Sequence, residues 1–168
     1  MDFIGRPALR TLRESLGDRL SRHQVEASMD NETLVLELFE AIESRDLQRI
    51  LQIYDPDVEF EWPPALPYGG STTGHQADTG KPTWQSTWPP LQPEPSDRRM
   101  DPRVIASRDD EVAVVYHQRG RDSLGRTFDG EVMGLYRVIA GKLKRAQMFY
   151  FDEQACVRFL ENSAKPAA

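Results

Sequence analysis

The sequence predicts an α+β domain, a cone-shaped curved antiparallel sheet with N-terminal helices packed on its concave face. Three observations carry this expectation. Apolar residues recur at helical spacing between 34 and 54, period-2 alternation dominates from 103 onward, and a proline-rich stretch separates the two regimes. A chain of 168 residues suits one core of ordinary size.

Leu34, Leu38, Ala41 and Ile42, with Phe39 beside them and Asp30 or Asn31 as N-cap, predict a helix over about 30–44. Ser44-Arg45-Asp46 can break and recap it. Leu47, Ile50, Leu51 and Tyr54 then form a second short helix ending before Pro56. Val58-Glu59-Phe60-Glu61-Trp62 alternates apolar with acidic, as a strand with one buried face does, and Pro63-Pro64 ends it.

Residues 63–95 hold eight of the twelve prolines and four of the eleven glycines, so no long regular element fits there. Tyr68, His75, Trp84 and Trp88 lie in this excursion, which reads as a lid or rim. After Pro102 come strands over 103–108, 111–119, 127–138 and 142–151, separated by Asp109-Asp110, Ser123–Arg126 and Ala140-Gly141 turns. Consecutive hairpins make an antiparallel meander. Asp152 can cap a closing helix through Ala155, Val157, Phe159 and Leu160.

Residues 1–28 carry Leu9, Leu12, Leu16 and Leu20 at helical spacing, weakened by Gly17. A docked or flexible extension, residues preceding a start at Met29, and a partner-binding helix all remain open, and the domain proper is expected over 29–168. Twenty-one basic against 27 acidic residues argue against nucleic acid as a partner. The single cysteine, Cys156, excludes an internal disulfide; one cysteine and three scattered histidines give no structural zinc set, and no metal is expected. No apolar run reaches the roughly 20 residues of a membrane span, so the cytoplasm is the expected compartment.

Leu-Phe-Glu-Ala-Ile-Glu-Ser-Arg-Asp-Leu at 38–47, then Tyr54-Asp55-Pro56-Asp57-Val58-Glu59-Phe60, resembles the opening of SnoaL-like and ketosteroid isomerase-like proteins of the nuclear transport factor 2-like superfamily. Gly130–Val138, Gly141-Lys142-Leu143 and Phe149-Tyr150-Phe151-Asp152 are similar to the last two strands and closing turn of that group. The resemblance implies a pocket rather than a particular reaction, because the fold hosts isomerases, cyclases, hydrolases, dehydratases and adaptors. It also implies a homodimer through the outer sheet face.

A steroid-type isomerase needs a base, a tyrosine hydroxyl and a neutral carboxylic acid. The resemblance puts these on Trp62, Phe39 and Gly134, none of which has the required group; an alignment slip of one residue would offer Glu61 as base. The inward face that the resemblance implies, carried onto the meander by the two-residue strand period, selects Val112, Val114, Tyr116 and Gln118, with Val132, Gly134 and Tyr136, then Ala146, Met148 and Tyr150.

The expected substrate pocket therefore uses Phe39, Phe60, Trp62, Tyr68, Trp84, Trp88, Val114, Gly134, Tyr136, Met148 and Tyr150, with Gly134 leaving room for a bulky ring. Tyr116 and Gln118 would hold a carbonyl or enolate oxygen, and His75 would move the proton. His117 should point outward, Arg119, Arg121 and Arg126 should form a solvated face, and Cys156 reads as a packed thiol. The expected activity is cofactor-independent acid/base chemistry on a hydrophobic carbonyl-bearing ring or polyketide-like substrate. A non-catalytic binder of a small apolar molecule and a dimeric adaptor are the alternatives.

Overall fold

The computed structural model describes residues 30–74 and 81–164. Helix α1 covers 30–44 and α2 covers Leu47–Ile53. Between them Arg45 takes a left-handed backbone (φ 59°), and the Asp46 carboxylate accepts from the Arg49 amide at 2.9 Å, so the break and recap lie where the sequence puts them. Strand β1, Tyr54–Trp62, starts earlier than expected: Tyr54 opens the strand instead of closing the helix. Pro56 is tolerated there because β1 shifts register against its neighbour between Tyr54 and Glu59, where a missing N–H interrupts no regular ladder.

The excursion contains more regular structure than its composition suggests. It supplies an edge strand β2 (Gly70–Thr73), a one-turn helix α3 (Trp84–Thr87), a 3₁₀ turn (Pro89–Leu91) and a one-turn helix α4 (Pro95–Arg98). Strands β3 (Arg103–Arg108), β4 (Glu111–Arg121), β5 (Thr127–Ile139) and β6 (Lys142–Tyr150) follow, and α5 (Glu153–Ser163) closes the fold behind its Asp152 cap. Sheet order is β2-β1-β6-β5-β4-β3, and β1 runs parallel to β6 while every other pair is antiparallel. The β5–β6 turn places Ala140 (φ 51°) and Gly141 (φ 71°) both at positive φ, the geometry that matches strand twist in a two-residue hairpin.

Burial follows the inward parity. Val112, Val114, Tyr116 and Gln118 on β4, Val132, Tyr136 and Val138 on β5, and Ala146 and Met148 on β6 are buried. Val35, Leu38 and Phe39 of α1 pack onto this face with Ile53 and Val58, forming the main core. A second cluster, built from Leu66, Tyr68, Trp88, Cys156 and Leu160 with Phe128 and Phe159 against it, fills the end of the sheet beneath α5.

The hairpin of α1 and α2 holds the excursion by side chains. Arg45 Nη2 donates to the carbonyl oxygens of Pro89 (3.0 Å) and Gln92 (2.8 Å), and Glu43 accepts from the Met100 amide at 2.7 Å. Each bond serves a backbone group that the non-repetitive excursion would otherwise leave to solvent. Among the described residues no helix is long and apolar enough to cross a membrane.

Candidate functional site

A cavity of about 450 Å³ opens between α1, the inner sheet face and the excursion. Its floor is α1 and sheet: Leu38, Phe39 and Ile42 from the helix, then Tyr116, Tyr136, Ala146 and Met148. One wall is an aromatic row. Tyr54 meets Phe60 edge-on at 5.2 Å, Phe60 stacks on Trp62 at 6.5 Å, and Trp62 stacks on Trp84 at 6.3 Å between ring centroids. The rim is Gly69–Thr72 and Lys81–Gln85, and Lys81 is the one charged residue among the described residues that line the cavity.

All five tyrosines of the chain gather at this cavity or directly behind it. Tyr54, Tyr68, Tyr116 and Tyr136 line it; Tyr150 stands behind Tyr68, their hydroxyls 3.0 Å apart. The Trp88 indole N–H can only donate, and it donates to Tyr68 at 2.8 Å. Phe39 packs against both Tyr116 and Tyr136, at 4.9 and 5.8 Å between ring centroids. Burial raises all five phenol pKa values above the ordinary one, so each is a neutral hydrogen-bonding group at physiological pH.

Of the expected site residues, the structure brings Phe39, Phe60, Trp62, Tyr68, Trp84, Tyr116, Tyr136 and Met148 onto the cavity wall. Others lie elsewhere. Trp88 is fully buried in the second cluster, where the glycine at 120 makes room for it: a β-carbon there would sit 2.8 Å from its ring. Val114 is core. Gly134 leaves no space for a ligand ring, because the Tyr136 ring occupies it, 2.5 Å from where a β-carbon would be. Gln118 is fully buried on the inner face, one position pair beyond Tyr116, and neither of its amide atoms meets a hydrogen-bonding partner. An unserved buried polar group costs on the order of 1–3 kcal/mol. His75 lies outside the described residues, as do 1–28; Gly74 and Lys81, the nearest described residues on either side of His75, both line the cavity.

Glu61 points away from the cavity and pairs with Arg145 at 2.5 Å, so the register puts Trp62, not a carboxylate, on the inner wall. His117 stays on the outer side, its Nδ1 2.6 Å from Asp129 Oδ1. Of the three arginines expected on a solvated face, Arg121 and Arg126 are about half exposed and Arg119 is largely covered, and each is ion-paired. Arg119 bridges Asp101 (2.8 Å) and Asp129 (3.0 Å), Arg121 meets Asp97 at 3.1 Å, and Arg126 meets Asp122 at 2.6 Å. Cys156 is packed, and burial pushes its thiol up to about 12.

Sequence reasoning missed Leu38, Ile42, Tyr54, Met100 and, on the rim, Ser71, Thr72, Lys81, Pro82, Thr83 and Gln85, while Trp84 between them was expected. For the α1 residues the signal was present: Leu38 and Ile42, one helical turn apart, flank Phe39 on its own face. Among the described residues no three His, Cys, Asp or Glu side chains gather as a metal site would require.

Comparison with solved structures finds the same architecture repeatedly. The protein Bal32a from a soil-derived mobile gene cassette superposes with a TM-score of 0.65 at 14% identity, covering 79% of this chain and 98% of that one. TerC, solved with polyporic acid, gives 0.64 at 21% identity, with 79% and 98% covered. An NTF2-like protein of unknown function from Burkholderia pseudomallei gives 0.65 at 23%, with 78% and 97% covered. At these identities the likeness is one of fold. Comparison with curated protein sequences found no match. The family model described as a SnoaL-like domain matches residues 35–146, well over half of the chain and the whole span from α1 to the middle of β6. On that match the chain belongs to the SnoaL-like family, and its fold, a curved, unclosed sheet with helices over a cavity, is like that of the NTF2-like structures.

Proposed function

We propose that this chain binds a planar, hydrophobic, carbonyl-bearing ring or polyketide-like molecule and converts it through its enol by cofactor-independent acid/base chemistry. The observation that carries the reading is the convergence of neutral, buried tyrosines on an apolar cavity. A ketone oxygen that gains negative charge on enolisation is stabilised by fixed donors in a dry site, and a phenol kept neutral by burial is such a donor. Tyr116 and Tyr136 stand on the cavity floor; the Phe60–Trp62–Trp84 row supplies a flat apolar wall for rings. The proton is assigned to His75, which the sequence sets between Gly74 and Lys81, two residues that line the cavity. TerC, of the same fold, was solved with polyporic acid, and a cavity of about 450 Å³ is of a size to hold a small aromatic ketone.

The test is exchange of the α-hydrogens of 2-tetralone for deuterium in D2O, followed by mass analysis, alongside quenching of tryptophan emission. Exchange faster than in buffer, slowed by Tyr116→Phe and by His75→Ala, is the expected result. Saturable quenching without exchange supports the second reading, a binder that does not turn its ligand over. That reading is favoured by one observation: none of the described residues lining the cavity is a carboxylate or an imidazole. For assembly, exposed Ile105 and Phe149 on the outer sheet face support the homodimer, which sedimentation tests.

A further inference from the structure

The rim of the cavity differs in charge from the rest of the surface. Lys81, exposed there, meets no carboxylate among the described residues, whereas Arg103, Arg119, Arg121, Lys144 and Arg145 of the sheet are each ion-paired. Two neutral groups stand on the same rim. Thr72 lies across the β1–β2 ladder from Phe60, and residues directly opposite share a face of the sheet, so its hydroxyl is on the cavity side. Gln85 follows Trp84 of the aromatic wall. The side chains of Lys81, Thr72 and Gln85 have no hydrogen-bonding partner among the described residues. An ammonium, a hydroxyl and an amide N–H all donate, and no carboxylate among the described lining residues opposes them. With 27 acidic against 21 basic residues the chain as a whole repels anions, and the rim reverses that sign locally.

We propose that this rim is a carboxylate subsite and that the ligand is an aromatic keto acid. Its ring lies along the Phe60–Trp62–Trp84 wall, its ketone faces the tyrosines of the floor, and its carboxylate turns out to Lys81, with Thr72 and Gln85 as neutral donors. A carboxylate held at the rim keeps part of its water, so the pair avoids the desolvation that makes buried ion pairs costly. A molecule with one charged end also enters in one orientation, which brings the ketone and not the acid to the floor. This inference rests on the reading of the cavity as a site for carbonyl-bearing rings and narrows that class to acids.

The probes are 6-acetyl-2-naphthoate and 2-acetonaphthone, which share ring and ketone and differ by the carboxylate, titrated at neutral pH against tryptophan emission of the full chain, of Lys81→Met and of Lys81→Glu. The expected result for wild type is binding of the acid about fivefold or more tighter than the plain ketone at low ionic strength, because an exposed ion pair is here joined by two further donors. Raising salt to about 0.5 M shrinks that preference, since the pair is open to solvent. In Lys81→Met the two affinities come within about twofold of each other, and in Lys81→Glu the plain ketone becomes the tighter ligand. Equal binding of the two probes by wild type, a preference that salt leaves unchanged, or a preference that survives in Lys81→Met overturns the inference alone. Failure of both probes to bind wild type overturns the reading of the cavity together with this inference.

Discussion

At one end of the sheet's inner face Trp88, Phe128 and Phe159 lie 5.4–6.2 Å apart between centroids, and Cys156 and Leu160 of α5 close over them. At the other end Phe60, Trp62 and Trp84 stack at 6.3–6.5 Å in the same manner, yet they wall a cavity of about 450 Å³. Aromatic content does not separate the two. What differs is the backbone beneath and the helix above: Gly120 lets the Trp88 ring down onto β4, and α5 caps the result, whereas at the cavity end α1 rests Phe39 on Tyr116 and Tyr136 and leaves the space beside them open. Tyr68 joins the halves, accepting from Trp88 on the filled side while lining the open one.

The comparison breaks most visibly at Trp88. Trp88→Ala empties a fully buried site and removes a donor from Tyr68, for an expected loss of about 3–5 kcal/mol in urea unfolding; Trp84→Ala, on the cavity wall, costs less than half as much. Equal losses would mean that both ends are core. Gly134→Ala sets a β-carbon 2.5 Å from the Tyr136 ring and should cost about 1–3 kcal/mol, with a changed near-UV circular dichroism as that ring moves.

Ala146→Leu adds volume on the cavity floor, so the expected change in stability is under about 1.5 kcal/mol while ketone binding falls at least about tenfold. A large stability loss with binding intact would show packed core at that position. Acid should weaken the filled end. Asp97 is held below the ordinary carboxylate range, first by its hydrogen bond from Arg121; for Asp122 burial pushes upward, but the Arg126 amide and guanidinium and the Leu124 amide outweigh it. A carboxyl with a depressed folded pKa contributes stability above its unfolded value of about 3.9 and loses it as pH falls further, so the urea midpoint should drop below about pH 4 and hold above it. Last, Cys156, with its thiol raised to about 12 by burial, should resist iodoacetamide at pH 8 and react only after denaturant is added.

The meander was legible because β4, β5 and β6 each bury alternate residues, a pattern that survives any uncertainty in strand ends. The same parity found Tyr116, Tyr136 and Met148 on the cavity. It failed at Gly134, because an absent side chain does not say which ring takes the space, and at Gln118, because facing inward is not the same as facing a void. The excursion was opaque for a different reason. Its short elements are fixed by distant partners, Arg45 for the Pro89 and Gln92 carbonyls and Tyr68 for Trp88, and nothing in local spacing announces contacts 44, 47 or 20 residues away.

The parallel pairing of β1 with β6 bears on how the chain reaches its native state. The hairpins β3–β4, β4–β5 and β5–β6 close short loops, but Lys144 meets Asp55 across 89 positions of sequence. Loop closure over that distance comes late, and sheets joined this way fold slowly compared with local hairpins. Because β1 and the segment after it form the aromatic wall, the cavity depends on this long-range pairing and not on the local hairpins alone. A ligand that binds only the finished cavity therefore stabilises, by mass action, the pairing that joins the two ends of the domain's sequence.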